Sequence, residues 1–446
     1  MKSQHEFRDP IHGFITMQTV ERAVVDSWPF QRLRDIHQLA MTYLVYPGAT
    51  HRRFEHSLGV MELASRVFDT ITLESNARNI PSGVRDAIPQ IEDKEGLPRW
   101  KRTLRMAALC HDLGHMPFSH ASEDLLPGSS HERMTWSIIH SCEMTPLWDE
   151  LRLEPKEIAK LALGPKEVAE LHFDEDVTFS TWESLLSEII VGDAFGVDRM
   201  DYLLRDSHHL GVSYGRFDLQ RILQGLRIAA KAPDGPEEGD QSLEPVIGVE
   251  HGALHAAAAL LWARYSIFSQ VYFHHVRRIY DIHLQDFMRA CFPKGYPVKV
   301  KKFLEISDSA VLQKLYAAAM DGSKAGHEDA ARLTQRKHFR RIYQQSKADV
   351  QIGLQKGIFE PGQILYERLS QEFGKENVKY DAGSKKHKRV DFPVVSEDAQ
   401  KFLLASQEMP TINSVPDVES RYIFVRPDIV SKARSFLEKE RQEILS

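Results

Sequence analysis

The chain is expected to fold as a mainly α protein with a smaller α+β lobe at its C-terminus. Three observations carry that expectation. Apolar residues recur at helical spacing through the first two-thirds of the 446 residues, strand-like runs of Val, Ile, Tyr and Phe gather past about residue 350, and 42% hydrophobic content supplies two or three cores. A net charge of -6 gives no global nucleic-acid signature, so anionic ligands must be met by local basic groups. No apolar run approaches the ~18 residues that span a bilayer, and the first ten residues lack a signal-peptide apolar region, so no membrane partner and a cytoplasmic location are expected. Cys110, Cys142 and Cys291 have no paired metal spacing and read as reduced core cysteines.

Taken in order, residues 20–27 and 30–39 read as helices, and an amphipathic pattern runs through residues 57–68 with Ser57 placed to cap it. The apolar stretch Met106-Ala107-Ala108-Leu109-Cys110 ends a buried helix that Gly114 and Pro117 stop. Pro155 and Pro165 each open a short helix, and residues 180–191 and 195–205 add two more. Residues 232–239 form an exposed loop, and 252–289 read as one long helix. Residues 378–380, 389–392 and 421–425 read as strands, with a closing helix over 431–445. The domain reading is a core over 1–290, a helical extension over 291–350 and an α+β lobe over 351–446.

Chemistry concentrates after the buried helix, in the run His111-Asp112-Leu113-Gly114-His115-Met116-Pro117-Phe118-Ser119-His120. A vicinal His-Asp pair can place imidazole and carboxylate on one first-row divalent ion, and such an ion acidifies bound water. His56 is a second ligand candidate beside its amphipathic helix. Asp198 is a third, sharing a helical face with Tyr202 and Asp206 at four-residue steps. Asp201 and Arg205 lie on a neighbouring face and read as a local ion pair. His208 and His209 read as structural groups near the Asp206 acceptor, and His5, His12, His37, His51 and His140 receive no metal role. Tyr272 and His274 would be core residues on periodicity alone.

The pattern of His56, His111-Asp112 and Asp198 resembles that of the HD-domain phosphohydrolases. Longer strings are more specific. Asp9-Pro10-Ile11-His12-Gly13, Phe30-Gln31-Arg32-Leu33-Arg34, Tyr46-Pro47-Gly48-Ala49, the histidine-rich run above and Asp206-Ser207-His208-His209-Leu210-Gly211 are similar to HD-domain dNTP triphosphohydrolases of vertebrates and bacteria, over roughly residues 5–290 and without a preceding SAM domain. The resemblance implies an all-helical HD core in which His56, His111, Asp112 and Asp198 hold a divalent metal, of identity open among Fe, Mn, Zn, Ni and Mg, with additional Mg on the triphosphate. It further implies that His115, His120 and His131 act around the phosphates, with His120 protonating the leaving 5′ oxygen or ordering the attacking group. Arg53, Arg199 and Arg264 would meet the triphosphate, Arg199 standing where the family has lysine. Gln38, Tyr202, Asp206 and Tyr272 would hold the deoxyribose, Tyr202 crowding the 2′ carbon. The implied reaction releases a deoxynucleoside and intact triphosphate.

Asp26, Gln31 and Arg34 resemble residues that read guanine at an activating site, which places a regulatory nucleotide segment in residues 1–55 and makes GTP or a dNTP the expected activator. His5 and Arg8 replace the family's lysine and asparagine there. A homotetramer is the family-based expectation, with dNTP-pool control and antiphage depletion both open as roles. The alternatives are an HD phosphohydrolase acting on another nucleotide phosphoester, or a catalytically silent binder of nucleotides or single-stranded nucleic acid. The basic strings Lys385-Lys386-His387-Lys388-Arg389 and Lys299-Val300-Lys301-Lys302 motivate the last of these.

Overall fold

The computed structural model describes residues 4–173, 177–231, 244–385, 390–396 and 402–445. The exposed loop expected at 232–239 and most of the basic string at 385–389 therefore lie outside the described residues. Among the described residues the molecule is mainly α, with three small sheets.

An unanticipated hairpin opens the chain. β1 (Gln4–Asp9) pairs antiparallel with β2 (Gly13–Gln18), and Gly13 takes the positive φ of 81° that the turn requires. Helix Thr19–Val25 follows. The helix expected over 30–39 breaks into one turn at Trp28–Gln31, a 3-10 turn at Arg32–Asp35 and an isolated bridge between His37 and Arg52. Phe30, Leu33, Ile36 and Leu39 are all buried without continuous helical hydrogen bonding.

Helix Arg53–Thr72 is the axis of the core. Its buried residues, among them Phe54, Leu58, Val60, Met61, Leu63, Val67 and Phe68, lie on several faces because helices pack around it. The helix starts a full turn before the expected cap: Glu55 accepts the Arg52 N–H at 2.8 Å, whereas Ser57 is buried inside the helix with an unbonded hydroxyl. Helix Leu97–Cys110 carries Pro98 in its first turn and delivers His111 at its C-terminus. Helix Thr181–Val191 is capped by Ser180, whose hydroxyl accepts from Glu183 N while the Glu183 carboxylate accepts Ser180 N–H. Helix Val197–Leu210 ends on Gly211 at φ 70°. The two Pro-initiated helices join as Pro155–Glu170, kinked where Gly164 takes φ 77°.

The long helix expected over 252–289 is interrupted. It runs as Leu254–Ile267, passes through a π-helical turn at Phe268–Tyr272 and resumes as His275–Cys291, with His274 accepting Val276 N–H as its cap. Strands also occur where helix was expected to dominate: β3 (Leu226–Lys231) pairs antiparallel with β4 (Glu244–Glu250). β5 (Arg340–Gln344), β6 (Val378–Lys385) and β9 (Val418–Val425) form the C-terminal sheet in the order β5-β9-β6. Helices Pro361–Phe373 and Val430–Leu445 cover it over a separate core of Leu365, Leu369, Val378, Ile423, Val425 and Ala433. This lobe therefore draws its first strand from residue 340. β7 (Pro393–Val395) and β8 (Phe402–Leu404) join the sheet of β3 and β4, in the order β3-β4-β7-β8. Residues 390–392 carry no strand. Cys110 is buried, but Cys142 is exposed and Cys291 half-buried, so one cysteine of three belongs fully to the core.

Candidate active site

Two glycines allow the helices to close on the site. A Cβ at Gly59 would stand 2.0 Å from Asp201 Oδ1, so only glycine lets helix Arg53–Thr72 lie against helix Val197–Leu210. At Gly114 a Cβ would meet His131 O at 2.0 Å and Thr135 N at 2.3 Å, seating the turn after His111-Asp112 on helix His131–Ile139.

His56 and Asp198, from two helices, and His111 and Asp112, from the turn that follows a third, converge. The donor atoms of His56, His111 and Asp112 all lie within 4.8 Å of one another. Asp198 Oδ1 is 3.0 Å from His56 Nε2 and 3.5 Å from His111 Nε2. Asp112 Oδ2 is 3.6 Å from His56 Nε2, and Asp112 Oδ1 is 3.3 Å from His111 Nε2. Ligands about 2.1 Å from one first-row ion stand about 3 Å apart at right angles, so these spacings suit a single cation. His111 Nδ1 is engaged with Ala108 O at 2.8 Å, which turns Nε2 inward, where it is buried with no hydrogen-bond partner. That orphaned nitrogen and the mixed imidazole-carboxylate set fit a divalent metal.

Electrostatics agree. Burial pulls the His56 imidazolium down, but Asp198 and Asp201 outweigh it and raise His56 to about 10. Burial opposes ionisation of Asp112 and Asp198, yet Arg53 and His111 hold Asp112, and His111 and His56 hold Asp198, well below the usual carboxylate range. The centre therefore favours positive charge.

Behind His56 lies a buried network that sequence reading had split into parts. Asp201 Oδ2 receives His56 Nδ1 at 2.7 Å, and Asp201 Oδ1 receives His12 Nε2 at 2.6 Å. Arg205 donates to both Asp201 oxygens and to Asp9 Oδ2 at 2.7 Å. The Asp201–Arg205 pair exists as expected, but it is not merely local: it orients His56 and ties the first hairpin to the site. His12, which received no metal role, sits two hydrogen bonds behind the cluster, through Asp201. The four-residue helical step from Asp201 to Arg205 and the string Asp9-Pro10-Ile11-His12-Gly13 were its signals in the sequence, with nothing to join them.

A cavity of about 520 Å³ opens above the cluster. Its lining includes every residue the resemblance assigned to substrate: Gln38, Arg53, Arg199, Tyr202, Asp206, Arg264 and Tyr272, together with His115 and His131. Arg53 is buried, with Nη1 2.5 Å from Asp112 Oδ2 and Nε donating to Ser119 Oγ at 2.9 Å. Burial first, then Arg53 and His131, hold His115 well below the usual imidazole value, so it is neutral at pH 7. Its ring stacks on His131, centroids 4.1 Å apart. The Arg199 guanidinium donates to Gly192 O at 2.9 Å and to Asp193 O. Burial lowers Arg264, and so does neighbouring Arg199, which leaves two close cations facing the cavity.

Asp206 accepts from the Tyr272 hydroxyl and from His51 Nε2 at 2.7 Å. Its acceptor role is thus used by His51 rather than by the adjacent histidines: His209 stacks on His51 at 4.5 Å, and His208 is exposed. The π-helical turn is what swings Tyr272 out of the core and onto Asp206. The His120 side chain lies outside the described residues.

Away from the cavity, Asp26 accepts from Arg22 Nε at 3.1 Å. Gln31 Nε2 donates to Val25 O, and Arg34 Nε donates to Gln31 Oε1, both at 2.8 Å, while the Arg34 guanidinium covers the Phe54 ring at 3.5 Å. Gln31 and Arg34 share one patch, with Asp26 on the preceding turn.

Helical packing around a His-Asp centre of this kind defines an HD domain. The HD-domain signature matches residues 53–206, and the HD-associated region matches residues 218–376. The chain belongs to the HD-domain family, whose domains bind divalent metals. A crystal structure of a hypothetical protein from Aquifex aeolicus is similar with a TM-score of 0.74 at 32% identity, over 97% of this chain and 99% of that one. Uncharacterized protein YwfO of Bacillus subtilis is 33% identical over 288 residues, 63% of this chain and 54% of the relative. Deoxynucleoside triphosphate triphosphohydrolase SAMHD1 of Homo sapiens is 33% identical over 245 residues, 49% of this chain and 35% of that protein. The chain thus spans from about a third to about half the length of these two curated relatives.

Proposed function

We propose that this protein is a metal-dependent dNTP triphosphohydrolase, cleaving a dNTP with water to a deoxynucleoside and triphosphate. The observation that supports it most is the joint placement of a His-Asp cluster on the floor of one cavity and of the expected phosphate and sugar residues on its walls. His56, His111, Asp112 and Asp198 would hold the metal, which when bound acidifies water and polarises a phosphoryl oxygen. Arg53, Arg199 and Arg264 offset the charge of the triphosphate, with Mg accompanying it. Neutral His115, backed by His131, can accept a proton from the attacking water, and His120 is assigned the proton that the leaving 5′ oxygen takes up. Asp206, fixed by His51 and Tyr272, accepts from the sugar 3′ hydroxyl, and Gln38 flanks it. The Tyr202 and Tyr272 rings, centroids 6.4 Å apart, narrow the sugar subsite so that a 2′ hydroxyl is excluded.

Activation by GTP or a dNTP at Asp26, Gln31 and Arg34, within a homotetramer, belongs to the same reading. Nucleotide binding there would have to replace the present Gln31–Arg34 contact. The test incubates pure protein with each dNTP under Mn²⁺, Mg²⁺ or Fe²⁺, with and without a second nucleotide, and resolves products by chromatography. Deoxynucleoside with triphosphate is the expected outcome. Appearance of dNMP and pyrophosphate, or no turnover under any metal, would sink the reading. Tyr202→Ala is expected to admit ribonucleotides.

A further inference from the structure

The floor of the cavity is held together by a carboxylate from outside the HD domain. Asp308 opens helix Asp308–Met320 in the HD-associated region, and it is fully buried. Its Oδ2 accepts the His37 backbone N–H at 2.8 Å and also the His37 ring Nδ1, while its Oδ1 accepts Phe118 N–H at 2.8 Å. One side chain thus joins the loop that presents Gln38 to the loop that follows His115. The same two loops meet directly where Ser119 Oγ donates to His37 O at 3.2 Å. Arg32 adds a parallel tie, donating to Ile306 O at 2.8 Å and to His115 O at 2.9 Å.

These loops need holding. Among the described residues six non-glycines have positive φ, and three of them are here: Ala40 at 46°, Phe118 at 59° and Ser119 at 52°. A Cβ-bearing residue adopts that region only when its surroundings over-determine it. Ala40, Phe118 and Ser119 all line the cavity, beside Gln38 and His115. Strain concentrated at one cavity wall, and countered by a buried carboxylate whose two oxygens are both taken by main-chain donors, is how a pocket is given its shape in advance of its ligand.

We propose that Asp308 is a positioning residue: it fixes the Gln38 loop against the Phe118–Ser119 loop, so that the HD-associated region sets the sugar-phosphate wall of the HD site. The kinetic part of this inference rests on the dNTP reading above; the conformational part does not. It also explains why the associated segment accompanies the domain, since residues 53–206 alone cannot supply this carboxylate.

Asp308→Asn is the informative variant, because an amide keeps the shape but offers one acceptor where two loops each need one. Hydrogen exchange of the full-length protein is the primary readout. Exchange at His37 and Phe118 is expected to accelerate about tenfold or more, while helices Arg53–Thr72 and Thr181–Val191 keep their protection. Metal content is expected to stay at the wild-type value, and KM for the preferred dNTP to rise about tenfold with a smaller change in kcat. Unchanged exchange at both amides overturns the proposal, and so does an equal loss of protection across the whole core, which would mean a general structural role. Should the asparagine variant not fold, Asp308→Glu, which displaces the carboxylate by one methylene, is read by the same exchange criteria. Absence of dNTP turnover by the wild-type protein defeats the substrate reading and leaves the exchange result to decide the positioning role.

Discussion

Replacing Asp201 with asparagine tests how the candidate metal cluster is supported. Asp201 and Arg205 are both fully buried, and the carboxylate takes hydrogen bonds from His56 Nδ1, from His12 Nε2 and twice from Arg205. Asparagine offers one oxygen to these donors and turns an NH₂ toward the others. Arg205 then keeps a single charged partner, Asp9, in a site without water access. Removing one member of a buried ion pair costs about 3 to 5 kcal/mol, a large share of a typical total of about 5 to 15 kcal/mol. Independently, losing the group that orients a ligating imidazole weakens metal binding about 10- to 100-fold. The Asp201→Asn variant should therefore unfold at markedly lower urea, and its chelator-stripped form should bind Mn²⁺ correspondingly more weakly by calorimetry. An asparagine variant within about 1 kcal/mol of wild type, with unchanged Mn²⁺ affinity, would refute the reasoning, since ~1 kcal/mol is the worth of an exposed pair.

Other outcomes follow from single contacts. Gly59→Ala should gain up to about 1 kcal/mol in helix propensity, yet its Cβ would stand 2.0 Å from Asp201 Oδ1 and 2.4 Å from Arg205 Nη2, so a net loss of about 1 to 3 kcal/mol is expected in denaturant unfolding. Tyr272→Phe removes the hydroxyl that donates to Asp206 and leaves His51 as its partner; on the proposed function KM for a dNTP should rise about two- to tenfold, and an unchanged KM would remove Tyr272 from the proposed sugar site. His283 accepts Phe339 N–H on Nε2 at 3.2 Å and faces Asp329 with Nδ1 at 2.9 Å, an arrangement that requires the neutral ring. Burial lowers its pKa despite Asp329, so this stabilisation is complete above the unfolded value of about 6.5 and is lost as pH falls below it toward the folded value. Unfolding free energy measured from pH 7.5 to 5.5 should fall less steeply in His283→Leu than in wild type.

The parts of the site read most readily from sequence were those whose chemistry is local. His111-Asp112 advertises itself by adjacency, and Asp198, Tyr202 and Asp206 by a period that a helix converts into one face. Asp201 obeys the same periodicity, but nothing in a sequence distinguishes a surface ion pair from a buried one, so its bond to His56 was invisible. Phe268–Tyr272 read as ordinary helix because a π-helical turn changes hydrogen bonding without changing composition. The breakup of residues 30–39 had the same cause: apolar spacing reports which residues face the core, not whether the backbone between them stays helical.

By itself, the sequence determined the helical class of the core, the strand segments at 378–380 and 421–425, and the His and Asp residues that gather as a candidate metal cluster, since these depend on spacing along the chain. Only the tertiary structure decided that β7 and β8 join the sheet of β3 and β4, that Asp201 stands behind His56, and that Asp308 clasps two loops from 271 and 190 residues away. Those contacts depend on which helices approach closely enough to exclude water, and an approach of that kind is set by packing across the whole core, where a single hydrogen at Gly59 permits what one methyl group would forbid.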